Sequence, residues 1–171
     1  MKIRNLSILI FLFFHLFSYC QNNIALIENE IVSINNNSEN YVISEHSWEE
    51  IYGLTTENGG IVKVWKENNK IRKVVEEVRG SMSSITRIIY LKDEKPIKGL
   101  EIEKIFESNQ NAEINYSKQI EVFRINAYVT GFNSIIGEYE FETKVEGKRK
   151  LTDYYCELNS LFHILSKLGI E

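Results

Sequence analysis

Residues 61–78 read IVKVWKENNKIRKVVEEV, and this stretch limits the fold more than any other. Two runs rich in Val and Ile, residue types that suit a pleated, half-buried surface, flank the pair Asn68-Asn69. Asparagine tolerates the positive φ angles that a two-residue hairpin turn demands. The stretch predicts two antiparallel strands joined by a tight turn. A lone hairpin is marginal in water, so further strands or a covering helix must be found elsewhere in the chain.

The residues downstream supply strands. SITRIIYL (84–91) follows a break at Gly80-Ser81, and PIKGLEIEKIF (96–106) follows the turn formers DEK (93–95). Pro96 is acceptable there as a first strand residue. NQNAEINYS (109–117) reads as a polar loop, QIEVFRINAYV (119–129) resumes the sheet, and Gly131 is expected to break the chain before SIIGEYEFETKV (134–145). In that last run Ile135, Tyr139, Phe141 and Val145 share one face, while Glu138, Glu140, Glu142 and Lys144 share the other. Such alternation marks an antiparallel sheet covered on one side. Strands nowhere alternate with crossover helices, which disfavours a parallel α/β sheet.

Helical patterns bracket the strands. Ile24, Ile27, Ile31 and Ile34 recur at three- and four-residue spacing, with Asn22 or Asn23 as a cap and NNNSEN (35–40) as the end. At the other end Leu151, Tyr155, Leu158, Phe162, Leu165 and Leu168 form one stripe, capped by Thr152 or Asp153 and stopped at Gly169. YVISEHSWEEIYGLTTENGG (41–60) mixes β-formers with charges and reads as a short extended or helical piece and a loop. The expected fold is α+β: a meander of five or six antiparallel strands, with the N-terminal and C-terminal helices completing a two-layer sandwich.

The first twenty residues stand apart. Lys2 and Arg4 precede a run from Leu6 to Phe17 interrupted only by Ser7 and His15. This is shorter than the roughly 20 apolar residues of a membrane span and has the layout of an export signal. Residues 1–20 are read as a signal peptide and 21–171 as a single domain. Cleavage after Cys20 leaves Gln21 first; the rival is acylation of Cys20 itself, which the bulky Tyr19 disfavours. The expected location is periplasmic or secreted, or lipid-anchored in the envelope, with membrane contact only if Cys20 is acylated. Either route leaves Cys156 as the sole cysteine of the mature chain, where it is expected to pack rather than react.

Charge and motif narrow the function. Without Lys2 and Arg4, the charges of residues 1–20, the formal net charge falls from −4 to −6. An acidic chain whose longest basic cluster is GKRK (147–150), read as a solvated turn, argues against nucleic acid. Cys156 and His163 lie two helical turns apart, beyond hydrogen-bond reach, so the thiol is not activated by the imidazole. SEHSWEE (44–50) brings Glu45, His46, Glu49 and Glu50 beside Trp48, yet the single histidine lacks metal-site spacing. No phosphate loop, G-x-S-x-G or H-E-x-x-H occurs. No cofactor, metal or enzymatic activity is expected.

Two functions remain. The first is an exported, non-enzymatic interaction protein that meets another protein or an envelope component. Its candidate surface is Trp48 and the stripe Glu138, Glu140 and Glu142, set beside Glu101, Glu103 and Glu121 or balanced by Lys63, Lys73 and Arg87. The alternative is a small apolar-ligand protein with a pocket between sheet and helix. Trp65, Tyr128, Tyr139 and Phe141 lining one pocket would favour it.

Overall fold

Each strand of the protein pairs with its immediate neighbours in the chain, and every pairing is antiparallel. The computed structural model describes residues 23–108, 114–135, 138–147 and 158–170. Cys20, Gln21, Cys156 and the basic residues of GKRK lie outside them. Helix α1 covers residues 23–36, and a 3-10 turn at Ser38–Asn40 follows it. The strands are β1 (Val42–Ser47), β2 (Gly60–Glu67), β3 (Lys70–Arg79) and β4 (Ser83–Lys92). They continue as β5 (Lys95–Ser108), β6 (Ile114–Asn133) and β7 (Glu138–Gly147). Helix α2 (Trp48–Tyr52) sits between β1 and β2. A 3-10 turn at Leu158–Phe162 leads into α3 (His163–Lys167).

The tight turns follow the expected chemistry. Asn68 and Asn69 have φ of 50° and 65°, and Asp93 and Glu94 have 49° and 63°. Both pairs lie in the left-handed region that matches the twist of a two-residue hairpin. Three expectations about the strands need correction. The sheet has seven strands rather than five or six, because the ambiguous segment after residue 40 forms edge strand β1. Gly131 does not end a strand: β6 runs through it to Asn133, with Gly131 paired to Glu140 and Thr130 left unpaired as a bulge opposite β7. Ile135 is not on the buried face of β7, since it lies in the preceding turn and is 93% exposed.

The helices do not share one layer. Ile31 and Ile34 of α1 pack with Tyr41 and Tyr90, flanked by Trp65, Ile88 and Ile97. Leu161, Phe162, Ile164 and Leu165 pack instead on Val62, Val64, Val74, Ile89, Leu91 and Ala127. Neighbouring residues on a strand point to opposite faces. Tyr90 and Ile89 thus assign α1 to one face and the α3 segment to the other. The expected two-layer sandwich is corrected to a sheet with helical cover on both sides. The broad α+β class stands. Among the described residues, no helix is long and apolar enough to cross a membrane.

Candidate functional site

The α3 face holds the most deeply buried charges. The register aligns Glu76, Arg87 and Glu101 across three strands. Arg87 Nη1 donates to Glu76 Oε2 at 3.0 Å, and its Nε donates to Glu101 Oε2 at 2.6 Å. The second oxygen of Glu76 accepts from the Tyr52 hydroxyl of α2 at 2.5 Å. Burial works against the charge of Arg87, but the carboxylates of Glu101 and Glu76 outweigh it and hold the guanidinium protonated more firmly than usual. Burial, then the Glu76 carboxylate, pushes the Tyr52 hydroxyl well above its ordinary range. The cluster ties α2 to the sheet, with both ends of the guanidinium committed.

A second polar cluster joins α1 to the opposite face. Lys98 Nζ donates to Glu28 Oε1 at 2.7 Å, and the Tyr128 hydroxyl donates to the same oxygen at 2.6 Å. The ammonium groups of Lys98 and Lys144 lie 4.7 and 5.3 Å from the centre of the Tyr128 ring. Burial opposes ionisation of Glu28, but hydrogen bonds from Lys98 and Tyr128 prevail and its carboxyl titrates below the usual value. Burial and then Glu28 raise the Tyr128 hydroxyl.

The sequence-predicted residues separate. Trp48 stacks on Tyr52 with ring centres 3.9 Å apart, and its Cβ lies over Gly60, so it is half-buried. Glu138 and Glu140 are exposed on edge strand β7, and the Glu140 carboxylate lies over Gly131. Glu142 pairs across the ladder with Tyr128, on the α1 face. Glu101 pairs with Ile125, and Tyr128 and Ile125 point to opposite sides of β6. Glu101 and Glu103 thus lie on the face opposite the Glu138, Glu140 and Glu142 stripe, which corrects the expected grouping. Glu121 is bound to Arg124 at 2.8 Å. Lys63 pairs with Glu45 at 3.2 Å, Lys73 sits over Trp65 and Tyr90, and Arg87 is in the buried cluster.

The four aromatic residues of the pocket reading are also divided. Tyr139 and Phe141 pack on Phe162, with ring centres 5.4 and 5.6 Å away. Trp65 and Tyr128 belong to the α1 face. A cleft of about 270 Å³ does lie between α1 and the sheet, bordered by Leu26, Ile27, Glu30, Lys92 and Ile97. Glu30 bridges it to Lys92 at 3.0 Å and binds Arg72 at 2.6 Å, so ion pairs occupy its wall. A smaller cleft of about 140 Å³ lies beside Trp48 and Gly60.

The sequence reading missed the projecting end of the β5–β6 hairpin. Among the described residues, strand β4 pairs with β5 as far as Ile105, and β7 meets β6 as far as Phe123. Among the described residues, Glu107, Ser108 and the first residues of β6 therefore pair only with each other, while Phe106 N–H still reaches Met82 O beside β4. A wide bulge after Phe106 expels Tyr116, Ser117 and Lys118 from the ladder. Ser117 N–H and hydroxyl both donate to Asn115 Oδ1, which fixes this bulge. Tyr116 meets Phe106 edge-on at 5.2 Å. Ile105, Ile120 and Tyr116 are 38%, 40% and 62% exposed. One signal was available: PIKGLEIEKIF is longer than SITRIIYL beside it, so part of it had to outrun its partner.

Among the described residues, no group of three or more His, Cys, Asp or Glu side chains is placed to hold a metal. Compared with known proteins, the chain matches no family model, no curated protein and no solved structure.

Proposed function

We propose that this is an exported, non-enzymatic interaction protein whose docking element is the projecting β5–β6 ribbon. The observation that carries the reading is the exposure of Tyr116 on a two-stranded arm that, among the described residues, outruns its neighbours, with the exposed cross-strand pair Ile105 and Ile120 at its base. Apolar side chains gathered on an exposed element favour a partner surface, and aromatic anchors supply much of the energy of such contacts. Export rests on the charged, apolar layout of residues 1–20 and on Cys20 and Gln21 as the processing point. The partner is a protein or envelope component. The apolar-ligand alternative is less favoured, because its aromatic set is split between faces and the α1 cleft is walled by ion pairs.

Site-specific crosslinking in the native host tests the reading. A photoreactive side chain at Tyr116 should yield one discrete adduct, and the same group at Lys70, in the distant β2–β3 turn, should not. Equal labelling at the two positions, or none at Tyr116, removes the ribbon as the docking element.

A further inference from the structure

Under the ribbon, on the α1 face, lies a groove of about 310 Å³ bordered by Asn58, Arg79, Gly80, Phe106, Tyr116 and Gln119. Its wall is held by hydrogen bonds to main-chain carbonyls. Asn58 Nδ2 donates to Gly80 O at 2.9 Å, Gly80 N to Ser83 O at 2.9 Å and Phe106 N to Met82 O at 3.1 Å. The register gives Arg79 and Phe106 the same face: Arg79 aligns with Ser84, Ser84 with Lys104, and Phe106 lies two residues further on.

Arg79 differs from the other described arginines. Arg72, Arg87 and Arg124 each grip a carboxylate within 3.0 Å. The Arg79 side chain is exposed and, among the described residues, has no ion-pair or side-chain hydrogen-bond partner, and neither has the side chain of Gln119. The nearby carboxylate of Glu57 accepts from Ser81 N–H instead. An unmatched planar fork of donors thus stands beside two aromatic rings. A guanidinium alone binds a carboxylate through two parallel hydrogen bonds. Polyphosphates and nucleic acids need several cations, and the residues that border the groove include one, Arg79.

We infer that the groove takes an acidic peptide segment of the partner, with one carboxylate on Arg79 and a flanking apolar side chain against Phe106 and Tyr116. This rests on the ribbon as the docking element and names the chemistry it recognises. The groove is at the small end of ligand sites, which run from roughly 300 Å³ upward. It suits two or three side chains of a peptide.

Amide and Arg Nε–H chemical shifts of the ¹⁵N-labelled protein provide the test, with acetyl-Phe-Glu-Phe-amide as the probe. Saturable shifts are expected at Arg79 Nε–H, Gly80 and Gln119. The isosteric Gln peptide should bind about ten-fold more weakly, since it loses the charge-assisted pair. Arg79→Gln should abolish the difference between the peptides, and Tyr116→Ala should weaken both. Equal binding of the two peptides, absence of shifts, or inorganic phosphate acting at lower concentration than the Glu peptide overturns the inference. The two readings fail separately. A Tyr116 adduct of undiminished yield in Arg79→Gln keeps the ribbon as the docking element and removes the carboxylate.

Discussion

Arg87→Leu tests whether the sheet depends on its buried charges. The substitution keeps much of the side-chain volume but deletes the cation between Glu76 and Glu101. Those residues are 2% and 5% exposed, so water does not replace the lost partner. Removing one member of a buried ion pair costs about 3–5 kcal/mol, because the charge left behind is uncompensated. Here two carboxylates are left, 2.6 and 3.0 Å from where the guanidinium stood, so at least the middle of that range applies. At a urea slope of about 2 kcal/mol per molar, a loss of ~4 kcal/mol moves the unfolding midpoint down by about 2 M. The companion variant Glu76→Leu/Arg87→Leu/Glu101→Leu removes all three charges and should recover most of the loss, since well-packed apolar replacements of buried ion clusters are often neutral or stabilising. Its recovery is incomplete by the one hydrogen bond that Tyr52 makes to Glu76. Urea titration followed by Trp fluorescence reads both. A shift below about 0.5 M for Arg87→Leu would mean that solvent reaches the carboxylates, and the argument from burial would be wrong.

Gly99→Ala should destabilise by about 1 kcal/mol through overpacking, since the new Cβ meets Phe162 Cζ at 3.0 Å and Phe141 and Tyr139 wall in that ring. Phe162→Leu should absorb part of the cost, and strict additivity in a double-mutant cycle would refute the contact. Ser47→Ala should cost about 1 kcal/mol by removing a helix cap. Ser47 Oγ accepts from Glu50 N–H while the Glu50 carboxylate accepts from Ser47 N–H, so unchanged thermal stability would deny that box any weight. Glu28 titrates lower in the folded protein than its ordinary 4.5, so its contribution is present above that value and fades as pH falls through the folded one. Glu28→Gln should therefore shrink the difference between urea midpoints at pH 7 and pH 3 without abolishing it, because Glu30 and Glu121 are lowered too. An undiminished difference would contradict the assignment.

Turns and helix faces were readable in the amino-acid order because their causes are local. Asn68 and Asn69 took the positive φ their chemistry favours, and Ile31, Ile34, Phe162 and Leu165 are buried as their spacing implied. The number of covered faces was misjudged from β7, whose charges alternate with apolar residues. Strand β4 carried the better signal: Ile88, Ile89, Tyr90 and Leu91 are apolar in succession, the pattern of a strand covered on both sides. Edge strand β1 was obscured because none of its residues is fully buried and Glu45, His46 and Ser47 interrupt its apolar run. The ionic cluster depends on register. Glu76, Arg87 and Glu101 are 11 and 14 residues apart in sequence and meet only once three strands are aligned. The groove was hidden for the same reason, since Arg79 and Tyr116 come from opposite ends of a long excursion and the polar composition of NQNAEINYS masks the start of β6 at Ile114.

The docking place of α1 has a consequence for the order of assembly. Strand pairing is entirely between neighbours, a local topology of the kind that closes quickly. Helix α1 is different, because its seat is built from Trp65, Tyr90, Lys98 and Tyr128 on four strands, and the bonds of Glu28 reach across 70 and 100 residues. That seat does not exist until β6 has been added. The first helix of the chain is thus the last to find its place on this face.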